Sequence, residues 1–157
     1  MQIVIQRIRF VNQDDILYTE TDDSCAICGL RGNGILTIHH IDHNRDNNAY
    51  DNLIVICHNC HQKHNNNQKL LTDEEIERRK KHLIAKTLTT HGLNVLKIAH
   101  HGKTPVLALK AQVFHLIELG YLQESETPLH KMGDGSGSLT EFEITESGKS
   151  LISKWFV

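Results

Sequence analysis

The sequence predicts an α+β fold: a small strand–strand–helix module comes first, a linking helix follows, and helices with a β-hairpin complete the chain. Three observations predict it. Two Cys-x2-Cys pairs, Cys25/Cys28 and Cys57/Cys60, stand 32 residues apart from first cysteine to first cysteine (57 − 25). A β-branched apolar run, ILTIHHI from Ile35, lies between the pairs, and a second, LIVIC from Leu53, runs into the later one. Finally, LTDEEIERRKKHLIAKTL from Leu71 combines helix-start chemistry with an apolar stripe of helical period. The boundaries expected are residues 1–70 for the module, 71–90 for the linking helix and 91–157 for the remainder. A chain of 157 residues that is 39% hydrophobic and 23% charged can bury one good core or two small ones.

Taken in order, QIVIQRIRF at 2–10 alternates apolar and polar side chains and reads as a half-buried strand. Residues 12–24 read as an acidic connector. ILTIHHI and LIVIC are paired strands, joined by DHNRDNNAYDN, whose asparagines and aspartates favour turns. HNCHQKHNNN after Cys57 suits a short helix that its closing asparagines terminate. The next helix opens with Thr72 as N-cap and Glu75 as its capping-box partner, acids in the first turn and bases after. Ile76, Leu83, Ile84 and Leu88 form its buried stripe. Beyond residue 91 the periodicities give two helices, a hairpin around the Gly/Ser-rich GDGSGS, and a terminal helix.

The Cys-x2-Cys spacing places two thiolates on one tight turn, and two such turns complete a tetrahedral shell, so Cys25, Cys28, Cys57 and Cys60 are read as a structural zinc site. The alternative is a set of redox dithiols or disulfides, which a cytosolic compartment disfavours. That compartment is expected because the start MQIVIQRIRF lacks a signal peptide's apolar run and no stretch reaches the roughly 18 apolar residues of a membrane span. A formal net charge of −2 is a weak argument against nucleic-acid binding by bulk electrostatics. Residues 63–110 nevertheless hold ten Lys and Arg against four Asp and Glu, a local basic surface.

Between and beside the cysteines stand Ile38-His39-His40-Ile41-Asp42 and Asn52-Leu53, with His61 directly after the last cysteine. This ordered set resembles the HNH endonuclease family, in its four-cysteine zinc subgroup with a ββα-metal fold. The resemblance implies His40 as general base, His39 and His61 as ligands of a catalytic metal, and Asn52 as the residue whose amide holds the loop and orients the base. His64 is a further candidate ligand, because residues three apart share a helix face. The chemistry is consistent: phosphodiester hydrolysis needs a proton acceptor for water and positive charge for the phosphate and the leaving oxygen, which an imidazole and a divalent cation supply. His43 and His58 are read as solvent-facing or phosphate-adjacent and are assigned no chemical role, and His100 and His101 are read as a helix end.

The expected function is therefore a DNA endonuclease, acting on double-stranded DNA with Mg2+, Mn2+, Ni2+ or Zn2+ as catalytic ion and leaving 5′-phosphate ends. The HHIDHNRDNN stretch is most similar to homing and phage-type members, which implies a phage or mobile-element origin. Arg78, Arg79, Lys80 and Lys81 are read either as DNA-phosphate contacts or as a solvated helix face. LIELGYL followed by FEITESGKSLI resembles the end of a winged-helix domain, although Ala99 to Gly120 is short for a full helix-turn-helix. DNA reading, homodimerisation or docking of a recruiting protein partner all fit that region. The rival reading of the whole chain is a noncatalytic regulator, a zinc module joined to a winged-helix-like binding domain.

Overall fold

The structure, a computed structural model, describes residues 12–32, 34–66, 70–102, 105–126 and 139–157. The strand expected at 2–10 and the GDGSGS turn lie outside the described residues. The first element departs from expectation: in place of a connector, Gln13–Glu20 form a helix, α1. Asn12 caps it, its side chain accepting from the Asp14 amide at 3.4 Å. Local propensity is weak in an Asp- and Thr-containing segment; burial of Leu17 and Glu20 makes good the deficit.

The paired strands are β1 (Leu36–His40) and β2 (Leu53–Cys57), antiparallel with His40 opposite Leu53 and Leu36 opposite Cys57. Every residue of β2 is buried, which explains its unbroken apolar run: α1 and α2 (His58–Asn66) both pack on it. Before β1, the chain from Cys25 folds into a tight knuckle. The Cys25 amide donates to Leu30 O at 2.9 Å, the Gly29 amide to Cys25 O at 2.8 Å, and the Ala26 amide reaches Val55 O of β2 at 2.9 Å. Gly29 takes φ of 73°, a conformation that suits glycine.

Thr72 opens α3 (Asp73–His101), its hydroxyl accepting from the Glu75 amide at 3.2 Å as the capping sequence predicts. The helix is sharply kinked at Thr89, whose φ and ψ are 60° and 162°; the Thr89 hydroxyl accepts from the Gly92 amide and so caps the second segment. Next come β3 (Val106–Leu109), α4 (Lys110–Glu118), β4 (Leu122–Glu124), β5 (Leu139–Ile144) and α5 (Glu146–Trp155). The three strands form an antiparallel sheet of order β3-β5-β4. Only α4 lies between β3 and β4, where a helix-turn-helix requires two helices. Thr145 caps α5, and Gly148 in its first turn packs so close that a Cβ there would come within 2.5 Å of Tyr121 O.

A buried polar network joins these parts. Lys80 of α3 is fully buried, its ammonium 2.7 Å from Glu20 Oε1 and 3.8 Å from the centroid of the Tyr50 ring. The Tyr50 hydroxyl donates to the same carboxylate, and Thr87 Oγ1 donates to it at 3.3 Å. Burial lowers the Lys80 pKa, with Glu20 acting in the opposite direction. At the other end of the chain, Trp155 Nε1 donates to Asp51 Oδ2 at 2.9 Å and Lys154 pairs with it at 3.2 Å. Removing one partner of a buried pair strands the other charge, so Lys80→Met should cost about 3–5 kcal/mol in denaturant unfolding. Adding Glu20→Gln should recover part of that loss, since no buried charge then stands alone.

Candidate active site

Cys25, Cys28, Cys57 and Cys60 converge, their sulfurs all within 4.8 Å of one another. Cys28 and Cys57 Sγ lie 3.7 Å apart. Two sulfurs each about 2.3 Å from a tetrahedral zinc would stand about 3.8 Å apart, so the spacing suits that ion. Burial raises the Cys25 thiol, but backbone hydrogen bonds from Cys28, Cys57 and Ile27 outweigh it and bring the pKa down to about 7. Cys60 is pushed up by burial and then by its cysteine neighbours. A compact group of thiols cannot all ionise without a cation among them, and these residues fit one.

Residues from β1, the loop after it and α2, among them His39, His40, His43, Arg45, His61 and Asn65, line an open cleft of about 400 Å³. Adjacent residues of a strand face opposite ways, and burial differs accordingly: His39 is buried, whereas His40, at the end of β1, is half exposed. Burial, followed by the His64, His61, His43 and His40 rings, lowers the His39 pKa to about 4, so the ring is neutral near pH 7. His61 is lowered by burial, then by His64, His58 and Arg45. Neutral imidazoles keep the lone pair that a metal needs.

His64 of α2 is fully buried behind this cleft, its ring centroid 5.0 Å from that of His39. Its Nδ1 donates to Leu71 O at 3.0 Å, which leaves the lone pair on Nε2. Among the described residues, His39 Nε2 and His64 Nε2 are buried nitrogens without a hydrogen-bond partner. His64 Nε2 does lie 3.3 Å from Asp73 Oδ1, but without hydrogen-bond alignment. Unpartnered buried nitrogens are costly and rare unless an ion or water completes them, so the residues present fit a metal here.

The loop from Ile41 to Ala49 carries His40 at its root and is held from within. Asn52, 1% exposed, accepts from the Asp42 amide at 3.1 Å and donates to Asp42 Oδ1 at 2.8 Å and to Asn47 O at 2.9 Å. Asn47 Nδ2 donates to Asp42 Oδ2 at 2.7 Å, and the Asn44 amide to Asp42 Oδ1 at 2.9 Å. The Asn47 side chain, then the Asn44 amide and Asn52, draw the Asp42 pKa down to about 2. His40 Nε2 donates to Asn48 Oδ1 at 3.0 Å, which puts the loop directly against the ring.

Of the residues singled out in the sequence, the four cysteines converge, as do His39 and His64. His40 shares their cleft, and Asn52 buttresses its loop. The His61 ring lies beside His39, with centroids 5.2 Å apart, outside the tighter cluster of ring nitrogens. That cluster's third member is His43, read in the sequence as solvent-facing or phosphate-adjacent and assigned no chemical role. Its left-handed φ of 59° swings it over the His64 ring, stacked at 5.3 Å and 6°; only the Asn- and Asp-rich turn hinted at such a backbone. Lys80 is a correction: sealed in its ion pair with Glu20, it cannot meet a phosphate. Arg78, Arg79 and Lys81 are exposed.

A four-cysteine knuckle, two strands and a helix together present a histidine cleft. Residues 25–67 match the family model described as HNH endonuclease, a family of nucleases that act on DNA. No curated protein and no solved structure matches the chain. Among the described residues no helix is long and apolar enough to cross a membrane. Asn52→Ala should cost about 1–3 kcal/mol by leaving buried groups unpaired. It should also speed hydrogen exchange at the Asp42 amide well above exchange at the β2 amides.

Proposed function

We propose that the chain is a metal-dependent endonuclease that hydrolyses DNA phosphodiester bonds with His40 as general base. One observation carries this reading: a solvent-reachable imidazole, His40, shares a cleft with His39, whose buried Nε2, like that of His64 behind it, has no hydrogen-bond partner. With its Nε2–H directed at Asn48 Oδ1, His40 holds its lone pair on Nδ1. That nitrogen takes the proton of water as the water oxygen bonds to phosphorus. The bond to the 3′-oxygen breaks, the leaving oxygen gains a proton from solvent, and 3′-hydroxyl and 5′-phosphate ends result. A divalent ion held by His39, His61 and His64 (Mg2+, Mn2+, Ni2+ or Zn2+) supplies positive charge for the phosphate oxygens and the leaving group. Asn52 orients the base through the loop, as a positioning residue.

The four cysteines hold a structural zinc in this reading, fixing β1 and α2 relative to each other so that residues distant in sequence share one cleft. The pattern HHIDHNRDNN suits a homing or phage-type enzyme. Purified protein incubated with plasmid and each divalent ion in turn should cleave it, and His40→Ala should lower the rate by about 10²–10⁴-fold while the fold is retained. Equal rates in the two proteins would remove the assignment.

Arg78, Arg79 and Lys81 on the exposed face of α3 are proposed to contact DNA phosphates. If each neutralises one, the triple Ala variant should flatten the slope of log affinity against log salt by about 3. An unchanged slope would assign them to a solvated helix face.

A further inference from the structure

The reading of the histidine cleft as a metal centre leaves two close neighbours unexplained. His43 Nε2 is within hydrogen-bond reach of Asp73 Oδ1 at 3.4 Å, and His64 Nε2 lies 3.3 Å from the same oxygen without hydrogen-bond alignment. Asp73 is the first residue of α3, outside the stretch that matches the family model. The His64 contact is chemically odd as it stands. Because Leu71 O takes the Nδ1 proton, Nε2 presents a lone pair to a carboxylate oxygen. His64 is fully buried while the Asp73 side chain is 45% exposed, and two electron-rich atoms this close repel unless a proton or a metal cation lies between them. His39, whose Nε2 is also buried and without a partner, belongs to the same cluster as His43 and His64.

We propose that His43 and Asp73 are metal ligands, completing with His39 and His64 a three-imidazole, one-carboxylate shell that selects a borderline transition-metal ion over Mg2+. This rests on the nuclease reading of the cleft and deepens it. Imidazole nitrogens suit zinc and nickel, whereas magnesium favours carboxylate, carbonyl and water oxygens and gives up its waters reluctantly. In an ion of six coordination positions, four protein ligands leave two for the cleft side, where His61 and a phosphate can reach. The strained backbone at His43 has a cause on this account: the left-handed turn directs its ring at the ion. The shell also draws ligands from three elements, the end of β1 with its following turn, α2 and the start of α3, so that metal binding pins α3 to the module.

The test uses the full-length, untagged protein with zinc already in the cysteine site. Ni2+ and Mg2+ are titrated separately by calorimetry, and zinc content is checked before and after. The wild-type chain is expected to take up one Ni2+, with Mg2+ bound at least about tenfold more weakly. Asp73→Asn and His43→Ala should each weaken Ni2+ by at least about tenfold, comparable to losses seen when a site's supporting residues are removed. Metal-free Asp73→Asn should keep the wild-type melting temperature or exceed it, because the carboxylate repulsion is gone. His39→Ala serves as the control for the cleft itself. If His39→Ala loses Ni2+ while Asp73→Asn and His43→Ala bind as wild type does, His43 and Asp73 are not ligands and the nuclease reading stands. Equal affinity for Mg2+ and Ni2+ overturns the proposed selectivity and with it the shell. Absence of any uptake by the wild-type chain overturns both readings.

Discussion

The four-cysteine cluster is the constraint on which the candidate site depends. A two-stranded sheet has little core of its own and is marginal in water. Here one thiol pair sits on the knuckle that bonds to β2 through Ala26, and the other spans the end of β2 and the first turn of α2. Closing the four sulfurs around one point therefore fixes the direction in which α2 leaves the sheet. His39 on β1 and His64 on α2 meet as a result, although 25 residues separate them (64 − 39). The cleft is a geometric consequence of a cluster that none of its lining residues belongs to.

Within that frame, burial and exposure divide the work among similar side chains. His39 is held neutral by burial and by neighbouring rings, whereas His40, one residue on, sits at the strand end with solvent access. The Asn- and Asp-rich loop beside them is ordered by its own side chains, with Asp42 as the hub for Asn47, Asn44 and Asn52. A loop rigid enough to aim an imidazole needs no apolar packing when its polar groups satisfy one another. Charge is arranged with the same economy: three of the four residues in the run Arg78-Arg79-Lys80-Lys81 face solvent, and the fourth crosses the interior to hold Glu20.

Much of this was legible in the sequence because it is written in local chemistry. Cys-x2-Cys spacing, β-branched runs and a Thr-x-x-Glu start each report on a few adjacent residues, and the knuckle, β1, β2 and the start of α3 stand where those signals put them. The missed features depend on partners distant in sequence. Helix α1 forms because Leu17 and Glu20 find burial; in isolation its sequence is a poor helix. Lys80 looks like one more surface cation until Glu20, 60 residues earlier, is brought beneath it. His43 owes its place in the ring cluster to a left-handed backbone. In the C-terminal half α4, the antiparallel β4–β5 pair and α5 match the expected helix, hairpin strands and terminal helix, but strand β3 and the kink at Thr89 were beyond what periodicity can specify.

The tie between Trp155 and Asp51 spans 104 residues, against 60 for Lys80 and Glu20 and 29 for Cys28 and Cys57. Closing a loop costs more entropy as it lengthens, though only slowly, and contacts distant in sequence form late. On a ribosome the difference is starker, because a contact cannot form before its second residue exists. The cysteine-bound module can assemble once residue 60 has emerged, yet the turn at Tyr50–Asn52, which ends at the residue buttressing the His40 loop, waits for residue 155. The four cysteines can thus close before the contact that braces the Tyr50–Asn52 turn exists, and α5 is made later than the turn it braces.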